Sequence, residues 1–176
     1  QFVPNTEISV YHPEVMAYEV KDKNGEFLSV LYLDFFPRES KRSGAWMTEF
    51  RGAQIVEGVE TRPLVSLVMN FTKPTETTPS LLTFDEFTTF LHEFGHALHF
   101  LFSDVPYNGL LDVEGDFVEL PSQIMENWAL DSELLKSYAI HYRNNSIINS
   151  SIINRIHKSA QFNQGFATTE LLAAAL

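Results

Sequence analysis

The chain has 176 residues, of which 44% are hydrophobic, so it can bury one core within the usual size of a single domain. Its formal charge of -11 opposes phosphate backbones and anionic lipid heads, and neither nucleic acid nor a membrane is expected as a partner. With no cysteine, disulfides and thiolate metal sites are excluded, and any metal must be held by His and carboxylate. No apolar run approaches the ~20 residues that span a bilayer, and the first residues lack the basic-then-apolar pattern of a signal peptide. A cytoplasmic setting is expected. The sequence starts without Met and stops inside the apolar run Glu170 to Leu176, which carries no capping residue, so a piece of a larger polypeptide is expected.

In chain order, Tyr18 to Lys23 and Glu26 to Phe36 flank Asn24-Gly25, the strongest short hairpin signal, and predict two antiparallel strands. Residues Arg38 to Gly44 form a polar loop, after which Ala45 to Arg51 alternates as a short strand. Leu64 to Phe71 is an apolar run of strand length, which completes a small antiparallel sheet of about four strands. Thr72 to Ser80, with two prolines, is a loop that delivers the chain to a helix.

Thr83-Phe84-Asp85-Glu86 is a capping-box pattern, and the helix it starts carries an apolar stripe of Phe87, Leu91, Phe94, Leu98 and Leu101 that should face the core. Residues 103 to 115 read as a loop. Further helices are expected at about 117–129, 132–143, 148–161 and from 166 onward, broken at Asn144-Asn145 and Asn163-Gln164-Gly165. The fold class is therefore α+β, predominantly helical, with the sheet in about residues 1–80 and the helices in about 81–176.

His92 and His96 are four residues apart, so on a helix they project from one face a turn apart and can grip one metal ion. Glu93, rotated about 100° from His92, lies beside the open coordination position, where a carboxylate can take a proton from the attacking water. This is the His-Glu-x-x-His arrangement of zinc peptidases, and one Zn2+ ion is the cofactor it implies. The bland alternative is two ordinary histidines and a solvated carboxylate on a polar face, against which stand the capped helix and its Phe-rich opposite side. His99 continues the same face but lies too far along the axis to complete the site, which suits packing or support of a ligand. A third ligand must come from another element, and Asp104, Asp112, Glu114, Asp116, Glu119 and Glu126 are the candidates. Asp116 with Glu119 also reads as a capping box. Glu119, Gln123 and Glu126 share one helix face, so Glu119 and Glu126 both remain feasible, one as ligand and the other to orient an imidazole.

His92 to His99 as HEFGHALH, Asp116 to Gln123 as DFVELPSQ, Glu126-Asn127-Trp128, Leu33 to Glu39 and Gly44 to Met47 together resemble the thimet oligopeptidase and peptidyl-dipeptidase family of zinc metallopeptidases, neurolysin-like proteins. The resemblance covers most of the chain and implies a zincin-like helix. It further implies that His92, His96 and Glu119 are zinc ligands, that Glu93 is the catalytic base and that short peptides are the substrates. The chain then corresponds to the central part of a catalytic domain whose remaining polypeptide is its partner. The loop between His99 and Asp116 is shorter than the family pattern and lacks its Gly-Thr pair, with Tyr107-Asn108-Gly109 nearby. The family's Gly- and Tyr-rich segment and its large N-terminal helical part are absent from these residues, which implies weak or no cleavage by this piece alone. The competing readings are a non-peptidase zinc hydrolase and a metal-free structural domain.

Smaller signals complete the reading. Gly44 and Ala45, opening a strand, could offer backbone to a peptide as an added strand, or form an ordinary sheet edge. Arg38, Lys41 and Arg42 could meet a peptide carboxylate, but a solvated loop is the simpler expectation. Asn70, Asn144 and Asn149 fit the glycosylation pattern, and Trp46 and Trp128 are expected to pack.

Overall fold

The computed structural model describes residues 1–175 apart from the Asn108 side chain. The chain forms two compact units, Gln1–Asn127 and Trp128–Leu176.

In the first unit, β1 (Phe2–Pro4), β2 (Met16–Lys21), β3 (Phe27–Asp34), β4 (Trp46–Arg51) and β7 (Leu64–Val68) make one five-stranded sheet of order β1-β2-β3-β7-β4. The Asn24-Gly25 hairpin joins β2 to β3 antiparallel, with Gly25 at φ 87° and the Asp22 carboxylate accepting from the backbone of Asn24 and Glu26. The sheet is not antiparallel throughout, which corrects the sequence expectation: β7 runs parallel to β3 and antiparallel to β4, so the sheet is mixed. The cause is the long excursion from Phe35 to Pro63, which lays β4 on the outside and brings the chain back into the gap between β3 and β4. Leu64–Val68 carries the signature of that central place, a near-continuous apolar run buried on both faces. A separate ribbon, β5 (Gln54–Val56) with β6 (Val59–Thr61), was not foreseen. Its two-residue turn uses Glu57 at φ 51° and Gly58 at φ 80°, and a Glu at positive φ gives no sequence cue.

The helix α1 (Phe84–Leu101) begins as expected, with the Thr83 hydroxyl accepting from Glu86 N and the Glu86 carboxylate accepting from Thr83 N. Such a cap contributes about 1 kcal/mol. The stripe against the sheet is Phe90, Phe94, Ala97 and Leu101, packed over Val20, Leu31, Val65 and Leu67. That is a rotation of the expected stripe, in which only Phe94 and Leu101 recur. The reason is that α1 is covered twice, by the sheet and by α2 (Leu120–Glu126), so no single stripe describes its buried surface. Leu91 and Gly95 are buried as well. The second helix starts three residues later than expected, with Pro121 in its first turn, and Asp116 and Glu119 form no capping box.

The opposite sheet face buries Val15, Ala17, Val30 and Tyr32. Beside them lies Asp34, only 1% exposed. Its carboxylate accepts two bonds from Arg38 at 2.8 and 2.9 Å, one from Lys41 Nζ at 3.0 Å and one from the Tyr11 hydroxyl at 3.0 Å. Lys41 also donates to the carbonyls of Asp34 and Phe36. The solvated-loop expectation therefore fails for Lys41, whose side chain is 2% exposed, while Arg42 lies over the Trp46 ring.

In the second unit, α3 (Ser132–Tyr138) ends short of the expected 143, α4 (Ser150–Ala160) lies within the expected 148–161, and α5 (Gln164–Ala175) takes in Gln164 and Gly165, which were expected in the break, while Asn145 and Asn163 sit at positive φ. Asp131 caps α3 and Asn149 caps α4 through their side chains. Leu135 and Ile153 are buried, whereas Trp128 is half exposed and does not pack as expected. Leu176, expected in the last helix, lies outside the described residues. Among the described residues, no helix is long and apolar enough to cross a membrane.

Candidate metal centre

One helix places both histidines. On α1, His92 and His96 stand a turn apart with ring centroids 5.0 Å from each other and planes at 80°. Their Nε2 atoms converge on a single oxygen, Glu119 Oε2, at 3.1 and 3.2 Å. One donor atom from each of the three residues lies within 4.8 Å of the others. Ligand atoms about 2.05 Å from a tetrahedral zinc ion are separated by about 3.3 Å, and the two Nε2–Oε2 separations match that spacing. Among the described residues, no other group of three His, Cys, Asp or Glu residues is arranged this way.

Glu119 is supplied by the residue just ahead of α2, and the approach of that helix is unusually tight. A Cβ on Gly95 would meet Pro121 O at 2.5 Å and Ser122 Cα at 2.6 Å. Ser122, fully buried, donates from its hydroxyl to Glu119 Oε2 and to Glu119 O, both at 2.8 Å. The Ser122 hydrogen bond, opposed by partial burial and aided by His96 and His92, holds the Glu119 carboxyl below its ordinary pKa. It is thus ionised at neutral pH.

The far nitrogen of His92, Nδ1, lies 2.6 Å from Glu126 Oε1. Glu119 and Glu126, which the sequence alone left interchangeable, thus occupy different places: the first near both Nε2 atoms, the second behind one ring. Glu93 lines a cavity of about 530 Å³ together with Thr88, Thr89, His92 and Glu126. Phe84 and Asp85 also line it.

The remaining sequence candidates lie elsewhere. His99 is half-buried with its ring against Phe100, and Gln123 is exposed. Asp104 lies 3.8 Å from Arg62, and Asp104, Asp112, Glu114 and Asp116 are outside the three-residue group. Gly44, at φ 95°, has its carbonyl occupied by the Asn70 amide at 2.8 Å, so it does not present that acceptor to solvent. The backbone bonds Val30 N to Pro63 O and Met69 N to Asp34 O show that odd-numbered residues of β7 face β3 and even-numbered ones face β4. By the same alternation Trp46 and Thr48 bond to β7, and the free edge of β4 presents the backbone of Ala45, Met47 and Glu49. Ala45 therefore lies on the open edge and Gly44 does not. Ser122 and Gly95 were missed as part of the site. Their only sequence signal was position, one between the two histidines and the other three residues after Glu119.

The model of Peptidase family M3 matches residues 1–176. The chain is 41% identical over 177 aligned residues to the dipeptidyl carboxypeptidase of Salmonella typhimurium, covering 99% of this chain and 26% of the relative. It is 37% identical to oligopeptidase A of the same organism, with 86% of this chain and 23% of the relative aligned, and 41% identical to a thimet-like oligopeptidase of Dictyostelium discoideum, with 80% and 22% aligned. The chain belongs to Peptidase family M3. It spans about a quarter of the length of the curated relatives it matches.

Proposed function

We propose that these residues form the metal centre of a zinc peptidase that hydrolyses peptide bonds in oligopeptides, of the peptidyl-dipeptidase or oligopeptidase type. The observation that carries the reading is the convergence of His92 Nε2 and His96 Nε2 on Glu119 Oε2 beside a cavity lined by Glu93. His92, His96 and Glu119 would hold one zinc ion. Zinc, when bound, supplies a Lewis acid that polarises the scissile carbonyl and makes water acidic near neutral pH.

The other steps belong to side chains of this chain. Glu93 accepts the proton of the attacking water and returns it to the leaving amine. Glu126, at His92 Nδ1, fixes the imidazole tautomer so that the Nε2 lone pair faces the metal position. The free edge of β4 at Ala45 and Met47 offers backbone groups to an extended peptide, which would lie as an added strand. Relatives named dipeptidyl carboxypeptidase and oligopeptidase A support both types.

The test is cleavage of synthetic oligopeptides by the full-length polypeptide, with products identified by mass spectrometry. Peptide fragments that vanish on chelation and return with zinc are expected. Zinc-dependent hydrolysis confined to non-peptide esters or amides would favour a different hydrolase on the same centre.

A further inference from the structure

Glu119 differs from the two histidines in how it is held. The histidines are set by the pitch of one helix, whereas Glu119 comes from a separate short element whose distance from α1 must be right to within a fraction of an ångström. We propose that Gly95 and Ser122 are the positioning residues of the third metal ligand: Gly95 sets how closely α2 approaches α1, and Ser122 aims the Glu119 carboxylate at the two imidazoles. This inference rests on the reading of His92, His96 and Glu119 as metal ligands.

Two independent contacts support it. The atoms that a Cβ on Gly95 would strike, Pro121 O at 2.5 Å, Ser122 Cα at 2.6 Å and Pro121 C at 2.8 Å, are all backbone. No rotamer change can relieve them, so any side chain at 95 displaces the start of α2, and Glu119 with it. Gly95 also lies between His92 and His96 in sequence, so the close approach falls at the same turn of α1 as the imidazoles. The second contact is the Ser122 hydroxyl, which is fully buried and bonds Glu119 through both its carbonyl and Oε2 at 2.8 Å. The oxygen it bonds is the one that faces both Nε2 atoms. A half-exposed carboxylate without that bond samples several rotamers, and only some of them point at the histidines.

The experiment is zinc affinity, measured by competition with chromophoric chelators of graded strength, on the full chain with Gly95→Ala or Ser122→Ala. Each variant is also made in a Glu119→Ala background, and melting of every metal-free protein is followed in parallel. Each single change is expected to weaken zinc binding about 10- to 100-fold, and the weakening should disappear once Glu119 is gone, because both act through it. Wild-type affinity in both variants would overturn the inference. So would an equal loss with and without Glu119, which marks a general packing effect. Should Gly95→Ala show no melting transition, Ser122→Ala, which leaves the backbone spacing alone, decides the matter. A wild-type chain that takes up no zinc overturns both this inference and the reading beneath it, and is recognised by the absence of any affinity to lose.

Discussion

Two clusters of charged side chains lie in the first unit, and they are built on opposite principles. Around Asp34, the carboxylate accepts from Arg38, Lys41 and Tyr11, all within 3.0 Å, and both Asp34 and Lys41 are sealed from solvent. Around Glu119, two imidazole nitrogens converge on one carboxylate oxygen at the side of an open cavity, and Glu119 is half exposed. The first cluster has its hydrogen-bonding capacity filled from within and ties the loop after β3 to the sheet. The second gathers both imidazoles and the Ser122 hydroxyl on one carboxylate oxygen and stays open to solvent on one side. Exposure, more than the number of charges, separates the two clusters.

That contrast can be broken or sharpened by substitution. The largest effect is expected from His96→Ala, which should abolish stoichiometric zinc while leaving the metal-free melting temperature close to that of the wild type. Glu93→Gln should keep zinc and lower the peptide-cleavage rate of the full-length polypeptide by about 10²- to 10⁴-fold, the usual contribution of a general base. Activity retained in that variant would remove Glu93 from its assigned role.

At the other cluster, Asp34→Asn strands the buried Lys41 ammonium and the partly exposed Arg38 guanidinium. It should cost about 3 to 5 kcal/mol of unfolding free energy in denaturant titration, with zinc affinity unchanged. A Glu126→Gln change should weaken zinc by about 10- to 100-fold without a comparable loss of stability, as expected for a group behind a ligand imidazole.

The smallest effect is in pH. Burial disfavours the Asp34 anion, but the bonds from Arg38, Lys41 and Tyr11 outweigh it and hold the carboxyl below its ordinary value of 3.8. The unfolded chain therefore binds the proton first, and the stability contributed by this group is complete above pH 3.8 and is lost as pH falls below it. Asp34→Asn should flatten that acid limb of the stability profile. An acid limb of unchanged slope would mean that the cluster does not depend on its charge.

Much of the site was legible because its information is local. The Thr83 cap, the four-residue spacing of His92 and His96 and the Asn24-Gly25 hairpin are all relations within a few residues, and each is found where the spacing placed it. What failed was long-range. Parallel pairing of β3 with β7 depends on where a 29-residue excursion returns, from Phe35 through Pro63, and no local pattern encodes that. The choice between Glu119 and Glu126 was unreadable from spacing because both lie on one face of a short element, and only the packing of α2 against Gly95 separates them. Lys41 looked solvated because a basic loop usually is, and its buried acceptor Asp34 sits seven residues away at the end of a strand. Asn70 fits the glycosylation pattern, and its amide donates to the carbonyls of Arg42 and Gly44 at the turn into β4.

The most direct measurement of the central claim is metal content by elemental analysis of the full chain after mild purification and exhaustive dialysis against zinc-free buffer. One zinc per chain in the wild type and none in His96→Ala is the predicted result. A wild-type chain free of zinc, or a His96→Ala chain that retains it, would contradict the claim that His92, His96 and Glu119 hold the metal.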